Sequence, residues 1–453
     1  MTLISVNPYS GKIIKEYKAY DVLQLDEILG KAEQAYSLWK NTSFQERAGF
    51  FLKCKEVLLK NKSAYGNLIS SEMGKPIKEA LAEIEKCAAA CEYFALQAEN
   101  LLKPEFIKTE ATESYLSFEP IGTVLAVMPW NFPFWQVFRF AIPTLMAGNT
   151  ALLKHAPNVC GCALVIEKIF ELAEFPKSVF QTVLIENETT EYLINHRIVK
   201  AVSLTGSEKA GVSVASIAGR NIKKCVLELG GSDPFIVLPD ADLEHTVQQA
   251  VKARLQNNGQ SCIAAKRFIL HESIAEEFIS KLTKKVSQLN IGDPSDSSVD
   301  LGTLARSDMT DTLSAQVIKS IEKGAKAIYT HEQKNAGAVF TPVILLQVKP
   351  GMPAYEEELF GPVFSVIEYK TEEQAIQIAN DTRYGLGASI WTTNLEKGKT
   401  LASKIESGTV FINEFVKSDS RLPFGGIKKS GYGRELSGPG IKEFVNVKTV
   451  YVK

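Results

Sequence analysis

The residues with chemistry to offer concentrate at Leu255-Gln256-Asn257-Asn258-Gly259-Gln260-Ser261-Cys262, where a single thiol follows a run of small and amide-bearing side chains. A cysteine attacks well only as a thiolate, and a Gly-Gln-Ser-Cys turn can present both the sulfur and backbone N–H groups that favour the anion. The competing reading is a buried structural cysteine. Glu228 ends a β-rich run and precedes Gly230-Gly231, where a carboxylate can serve as a general base in a cleft or simply be solvated. Gly206-x-x-x-x-Gly211 lies between a strand-like and a helix-like stretch and can offer N–H groups to a pyrophosphate. It is not the usual Gly-x-Gly-x-x-Gly fingerprint, and a plain turn fits it equally well.

Apolar residues recur at helical spacing from Val22 to about Leu102, interrupted at Gly74-Lys75-Pro76. Residues 103–119 lose that period and read as an extended hairpin. Beyond them, β-rich runs at Gly122–Val127, Thr150–Lys154, Val179–Ile185, Val199–Leu204 and Lys224–Leu227 alternate with helix-length segments. This is the pattern of a parallel, doubly wound sheet of the dinucleotide-binding kind, whose ligands sit at the strands' carboxyl ends. Pro129-Trp130-Asn131-Phe132-Pro133, Lys154-His155-Ala156-Pro157 and Thr205-Gly206-Ser207 all fall there. A second alternation follows, with strands near Phe235–Leu238, Arg267–Leu270, Val363–Glu368, Ala388–Trp391 and Thr409–Ile412. The expected architecture is α/β: a Rossmann-like parallel-sheet cofactor domain (1–102 and 120–227), a second α/β catalytic domain (228–432) and a small β oligomerisation element (103–119 and 433–453). The alternating stretch Phe444 to Val452 needs an edge to pair with, and one in another subunit would serve.

The 453 residues carry a net charge of -1, from 51 basic and 52 acidic side chains, which gives no electrostatic footprint for nucleic acid or an anionic membrane. Seven scattered cysteines without a Cys-x-x-Cys pair point away from a zinc site or a disulfide framework and toward a reducing, cytoplasmic compartment. The expected partners are a small molecule and further copies of the chain, as a homodimer or homotetramer.

Five blocks appear in an order and spacing that resemble the NAD(P)-dependent aldehyde dehydrogenase superfamily: Pro129-Trp130-Asn131-Phe132-Pro133, Glu228-Leu229-Gly230-Gly231, Gly259-Gln260-Ser261-Cys262, Glu357-Glu358-Leu359-Phe360-Gly361-Pro362 and Pro423-Phe424-Gly425-Gly426-x-Lys428-x-Ser430-Gly431. The resemblance spans nearly the whole chain. It implies that Cys262 attacks the aldehyde carbon, that Asn131 and the Cys262 N–H hold the tetrahedral oxygen, and that Glu228 activates water for deacylation. It further implies cofactor contacts from Trp130, Lys154, Gly206, Ser207, Glu358 and Phe360, with NADP or NAD as cofactor and no metal. NAD-preferring members commonly carry a glutamate three residues after the lysine. Here that position is Pro157, which permits NADP and suggests dual use or NADP preference, with Lys154, aided by His155, meeting the 2′-phosphate.

The Lys154–Asn158 run, the Glu228–Pro234 block and the short length resemble compact bacterial succinate-semialdehyde dehydrogenases. That resemblance makes Arg139 and Ser418 the expected receptors of a substrate carboxylate. The larger branch of these enzymes has a second arginine where this chain has Gln256, leaving Arg254 or Arg421 as substitutes. Ala264, two residues past Cys262, leaves the thiol no neighbour for a disulfide. Glutarate semialdehyde, an aliphatic or amino aldehyde, coenzyme A acylation and a catalytically silent homologue are the alternatives.

Overall fold

The computed structural model describes residues 2–332 and 337–453. Its cofactor sheet has six strands in the order Gly431–Tyr432, Lys224–Glu228, Val199–Thr205, Thr123–Met128, Thr150–His155 and Phe180–Thr182, all parallel except the first. The apolar runs behave as strands buried on both faces do: Thr-Val-Leu-Ala-Val-Met at 123–128 is almost wholly enclosed. The chain leaves Thr123–Met128 toward one edge and returns to Val199–Thr205 on the other side. The sheet's switch point therefore lies between the carboxyl ends carrying Trp130-Asn131 and Gly206-Ser207.

The helical opening is four helices, Val22–Trp39, Phe44–Lys60, Lys62–Met73 and Ile77–Leu101. Gly74 closes the third at φ +79° and Pro76 caps the fourth, as the Gly-Lys-Pro break anticipated. The helix Trp135–Met146 is buried along its whole length behind the cofactor sheet and carries Arg139 inside.

The catalytic sheet has seven strands, in the order Lys326–Tyr329, Val343–Leu346, Val363–Tyr369, Ala265–His271, Asp233–Val237, Gly387–Trp391 and Thr409–Ile412. The first two, antiparallel to each other, were not expected: Lys326–Tyr329 is a short, half-exposed edge, while Val343–Leu346 is a buried apolar run that was missed. An N-terminal hairpin, Thr2–Val6 with Ile13–Lys18, also goes beyond the sequence reading. The terminal strand Val445–Val452 corrects an expectation: it pairs along its full length with Glu113–Pro120 of the same chain, with Glu105–Phe106 on the far side. No helix among the described residues is long and apolar enough to cross a membrane.

Candidate active site

The Cys262 segment is built by an unusual local backbone. After the helix Leu243–Leu255, Asn257 and Asn258 both take left-handed conformations at φ 56°, which asparagine tolerates better than most residues. Their side chains hold the turn in place. Asn257 Nδ2 donates to the Asn131 and Gln260 carbonyls at 2.7 and 3.0 Å, and Asn258 Nδ2 donates to the Gly74 and Thr303 carbonyls at 3.0 and 2.7 Å. Gly259, at φ +77°, lies so close to the 361–362 backbone that a Cβ would stand 2.4 Å from the Gly361 carbonyl carbon. The motif glycine is thus required by close approach.

Two buried cations organise the same loop. Lys266 Nζ donates to the Ser261, Cys262 and Ala264 carbonyls at 2.9, 2.8 and 3.3 Å and pairs with Glu358 at 3.3 Å. Arg254, fully buried, donates to the carbonyls of Gly259, Ala265, Leu359 and Gly361. Arg254 is therefore a structural clamp and does not substitute for a second substrate arginine. Arg421 does not either, since it is exposed and bound to Asp419.

Cys262 stands in the wall of a cavity of about 550 Å³ that also takes in Trp135, Arg139, Gln256, Ser418 and Phe424. Burial pushes its thiol up to about 12, against the pull of Arg139 and Lys266. The free site accordingly holds a thiol that must lose its proton before attack. Asn131 is buried, and its Nδ2 donates to the Gln260 carbonyl at 3.1 Å, two residues before the thiol. One amide hydrogen is used there and the second has no acceptor among the described residues, while Asn131 itself lies outside the cavity wall.

Glu228 is 2% exposed, neither carboxylate oxygen has a hydrogen-bond partner among the described residues, and it lies outside the cavity wall. Burial first, then Glu435, holds it well above the usual carboxylate range, while Arg139 and Arg434 act in the opposite sense. A carboxyl raised this way must first give up its proton to act as a base, and once ionised it takes a proton more readily than a solvated carboxylate. Gly425 of the Pro-Phe-Gly-Gly run makes room for it: a Cβ at Gly425 would sit 2.7 Å from Glu228 Oε1.

Arg139 reaches the cavity, but its guanidinium is ion-paired with buried Glu435 and lies 4.5 Å over the Phe424 ring. Its charge is largely answered from within the chain, a partnership no local sequence signal reveals. Ser418 is in the wall as expected. Its Oγ accepts hydrogen bonds from Lys86 Nζ at 2.7 Å and Trp135 Nε1 at 2.9 Å. Lys86 and Trp135 were missed. Glu79, Glu83 and Lys86 recur at i, i+4, i+7 on the helix Ile77–Leu101 and all line the cavity. That charged stripe was the readable signal.

At the strand ends, Lys154 is buried with its Nζ 2.5 Å from Asn187 Oδ1, and Pro157 opens a short 3-10 turn. His155 corrects its assignment. It is buried, its Nε2 meets the Pro133 carbonyl at 2.8 Å, its Nδ1 accepts from Ala156 N–H, and burial brings it down to about 4. A neutral ring pinned at both nitrogens has no charge to give a phosphate. Gly206 N–H is likewise taken, by the Glu228 carbonyl at 3.0 Å, so the neighbouring strand ends are tied there. Ser207 caps the helix Glu208–Arg220, whose N-terminus faces the switch point. Glu358 accepts from Gly231 N–H at 3.0 Å, and Phe360 meets Trp130 edge to face at 6.0 Å. A helix N-terminus and a lysine for phosphates, with a carboxylate for hydroxyls, form a donor set that fits a dinucleotide. Among the described residues no cluster of His, Cys, Asp and Glu could hold a metal ion.

Residues 1–450 match the model of the aldehyde dehydrogenase family. Over 453 residues, all of both chains, the sequence is 48% identical to a probable succinate-semialdehyde dehydrogenase [NADP(+)] of Synechocystis sp.. It is 42% identical to the succinate semialdehyde dehydrogenase [NAD(P)+] of Escherichia coli, over 99% of this chain and 97% of that one. The crystal structure of succinic semialdehyde dehydrogenase from Streptococcus pyogenes in complex with NADP+ superposes with a TM-score of 0.97 at 34% identity, covering 99% of both chains.

Proposed function

Since the chain belongs to the aldehyde dehydrogenase family, we propose that it oxidises succinate semialdehyde to succinate with NADP or NAD. The observation that carries this reading is the shared cavity, in which the Cys262 thiol and the Ser418 hydroxyl line one space. A four-carbon substrate with an aldehyde at one end and a carboxylate at the other matches that pairing.

When bound, the cofactor supplies the hydride acceptor. Lys154 and the N-terminus of Glu208–Arg220 would hold its phosphates, Glu358 its ribose hydroxyls, and Trp130 and Phe360 its ring. Pro157 offers no carboxylate to repel a 2′-phosphate. The side chains of this chain do the rest. Cys262 adds to the aldehyde carbon while the spare amide hydrogen of Asn131 and the Cys262 N–H stabilise the resulting oxyanion, a contribution of about 3–4 kcal/mol per donor. Loss of hydride leaves a thioester on Cys262. Glu228, in its ionised form, then takes a proton from water, which attacks the acyl carbon and releases succinate and the thiol.

Seven free cysteines suit the cytoplasm as the place of action. The three-stranded sheet at 103–120 and 445–452, with Phe106, Val447 and Tyr451 exposed, is the proposed contact between copies in a homodimer or homotetramer. The test compares kcat/KM for succinate semialdehyde and butanal, with NADP and NAD in parallel. A preference of about 100-fold or more for the acid supports the reading, and equal rates would refute it.

A further inference from the structure

Resting on the substrate reading above, we propose that Lys86 is the specificity-determining cation of the cavity, receiving the substrate's far carboxylate together with the Ser418 hydroxyl.

Three observations carry this. First, the cavity's other cations are already matched or solvent-exposed. Arg139 is paired with Glu435, Lys78 with Asp300 at 2.8 Å and Lys417 with Glu414 at 2.8 Å, while Lys252 is exposed. Lys86 forms no ion pair among the described residues; its Nζ has the Ser418 hydroxyl at 2.7 Å and the Trp135 ring centroid at 4.2 Å. An ammonium has three donors, so this environment leaves it both charge and hydrogens to give.

Second, the Ser418 oxygen is approached by two donors, Lys86 Nζ and Trp135 Nε1. Its own O–H therefore points to a different acceptor, and none is recorded for it among the described residues. An acceptor-only group such as a carboxylate completes the cluster, taking one hydrogen from Ser418 and one from Lys86.

Third, the cluster is held rigidly. Trp135 is fixed at its backbone, where its N–H and that of Phe134 donate to Glu83 Oε1 at 2.9 and 2.8 Å. The charges facing Lys86 are Arg139, which repels it, and Glu83 and Asp419, which favour its protonated form; the adjoining Cys87 thiol is pushed far up by burial and stays neutral. Burial outweighs the two carboxylates and brings the ammonium down to about 8, so it is charged at neutral pH yet poorly solvated. A poorly solvated cation gains most from an anion.

The test measures kcat/KM for succinate semialdehyde and for butanal in the full-length wild type, Lys86→Met and Lys86→Arg. The ratio of the two cancels any loss of correctly folded enzyme. Lys86→Met should lower the acid-to-butanal ratio about 30-fold, chiefly through KM for the acid, and Lys86→Arg should keep it within about fivefold of wild type. A wild-type preference for the acid that survives in Lys86→Met overturns the assignment of Lys86 and leaves the substrate reading intact. Absence of any preference in the wild type overturns the substrate reading, and the assignment with it.

Discussion

Replacing Lys75 by methionine isolates the cost of a buried carboxylate left without its cation. Lys75 and Glu83 are 0% and 1% exposed, so solvent screens their pairing little. Glu83 Oε2 accepts from Lys75 Nζ, while Oε1 accepts the Phe134 and Trp135 N–H groups at 2.8 and 2.9 Å. Lys75 Nζ also lies 4.1 Å from the Phe132 ring centroid. Lys75→Met keeps most of the stem's packing but strands the carboxylate, which costs about 3–5 kcal/mol in comparable sites. Adding Glu83→Gln removes the stranded charge, and the amide oxygen can still accept both N–H groups. The double variant should therefore lose only about 1–2 kcal/mol, recovering about 2–3 kcal/mol relative to Lys75→Met alone. Urea unfolding followed by tryptophan fluorescence measures this, since Trp39 and Trp135 are both buried in one hydrophobic core. If the double variant is no more stable than Lys75→Met, the charge argument is wrong and lost packing accounts for the effect.

Two further outcomes follow from the site. Glu228→Gln should still release about one reduced cofactor per active site in a burst, then turn over at least about 100-fold more slowly than wild type as the thioester accumulates. Unchanged steady-state turnover would remove Glu228 from the base role, and absence of both burst and turnover would point to an earlier step. The wild-type ratio of kcat/KM for succinate semialdehyde over butanal should be level near pH 7 and fall as pH rises through about 8, because the Lys86 ammonium that receives the carboxylate is lost there. Butanal in the denominator removes the titration of Cys262 and Glu228, and a ratio that stays level to pH 9.5 would refute the sign.

The motif residues were legible because their surroundings are local. Cys262 owes its position to Asn257, Asn258 and Gly259 immediately before it, and the strand runs owe theirs to continuous apolar sequence. What escaped the sequence depends on partners far along the chain. Arg139 reads as a free guanidinium until Glu435 folds against it, and His155 as a phosphate ligand until the Pro133 carbonyl pins it. Arg254 reads as a spare substrate cation until four carbonyls surround it. Lys86 escaped for the opposite reason: it carries no motif, and only its place on a charged helical stripe facing the cavity marks it. The terminal strand was readable as a strand, but its partner was not, since alternation sets a face and says nothing about which edge it meets.

The Arg254 clamp has a mechanical consequence. One guanidinium grips Gly259 and Ala265, which flank the thiol, and also Leu359 and Gly361, which flank Phe360 and follow Glu358. A thermal displacement of either strip is passed to the other through the shared cation. The two strips should therefore move together, with the gap between nucleophile and cofactor wall varying less than the position of either. Hydride transfer depends steeply on a gap and hardly at all on absolute position. A fold that lets both sides wander together can stay soft around its active site and still hold its reacting distance.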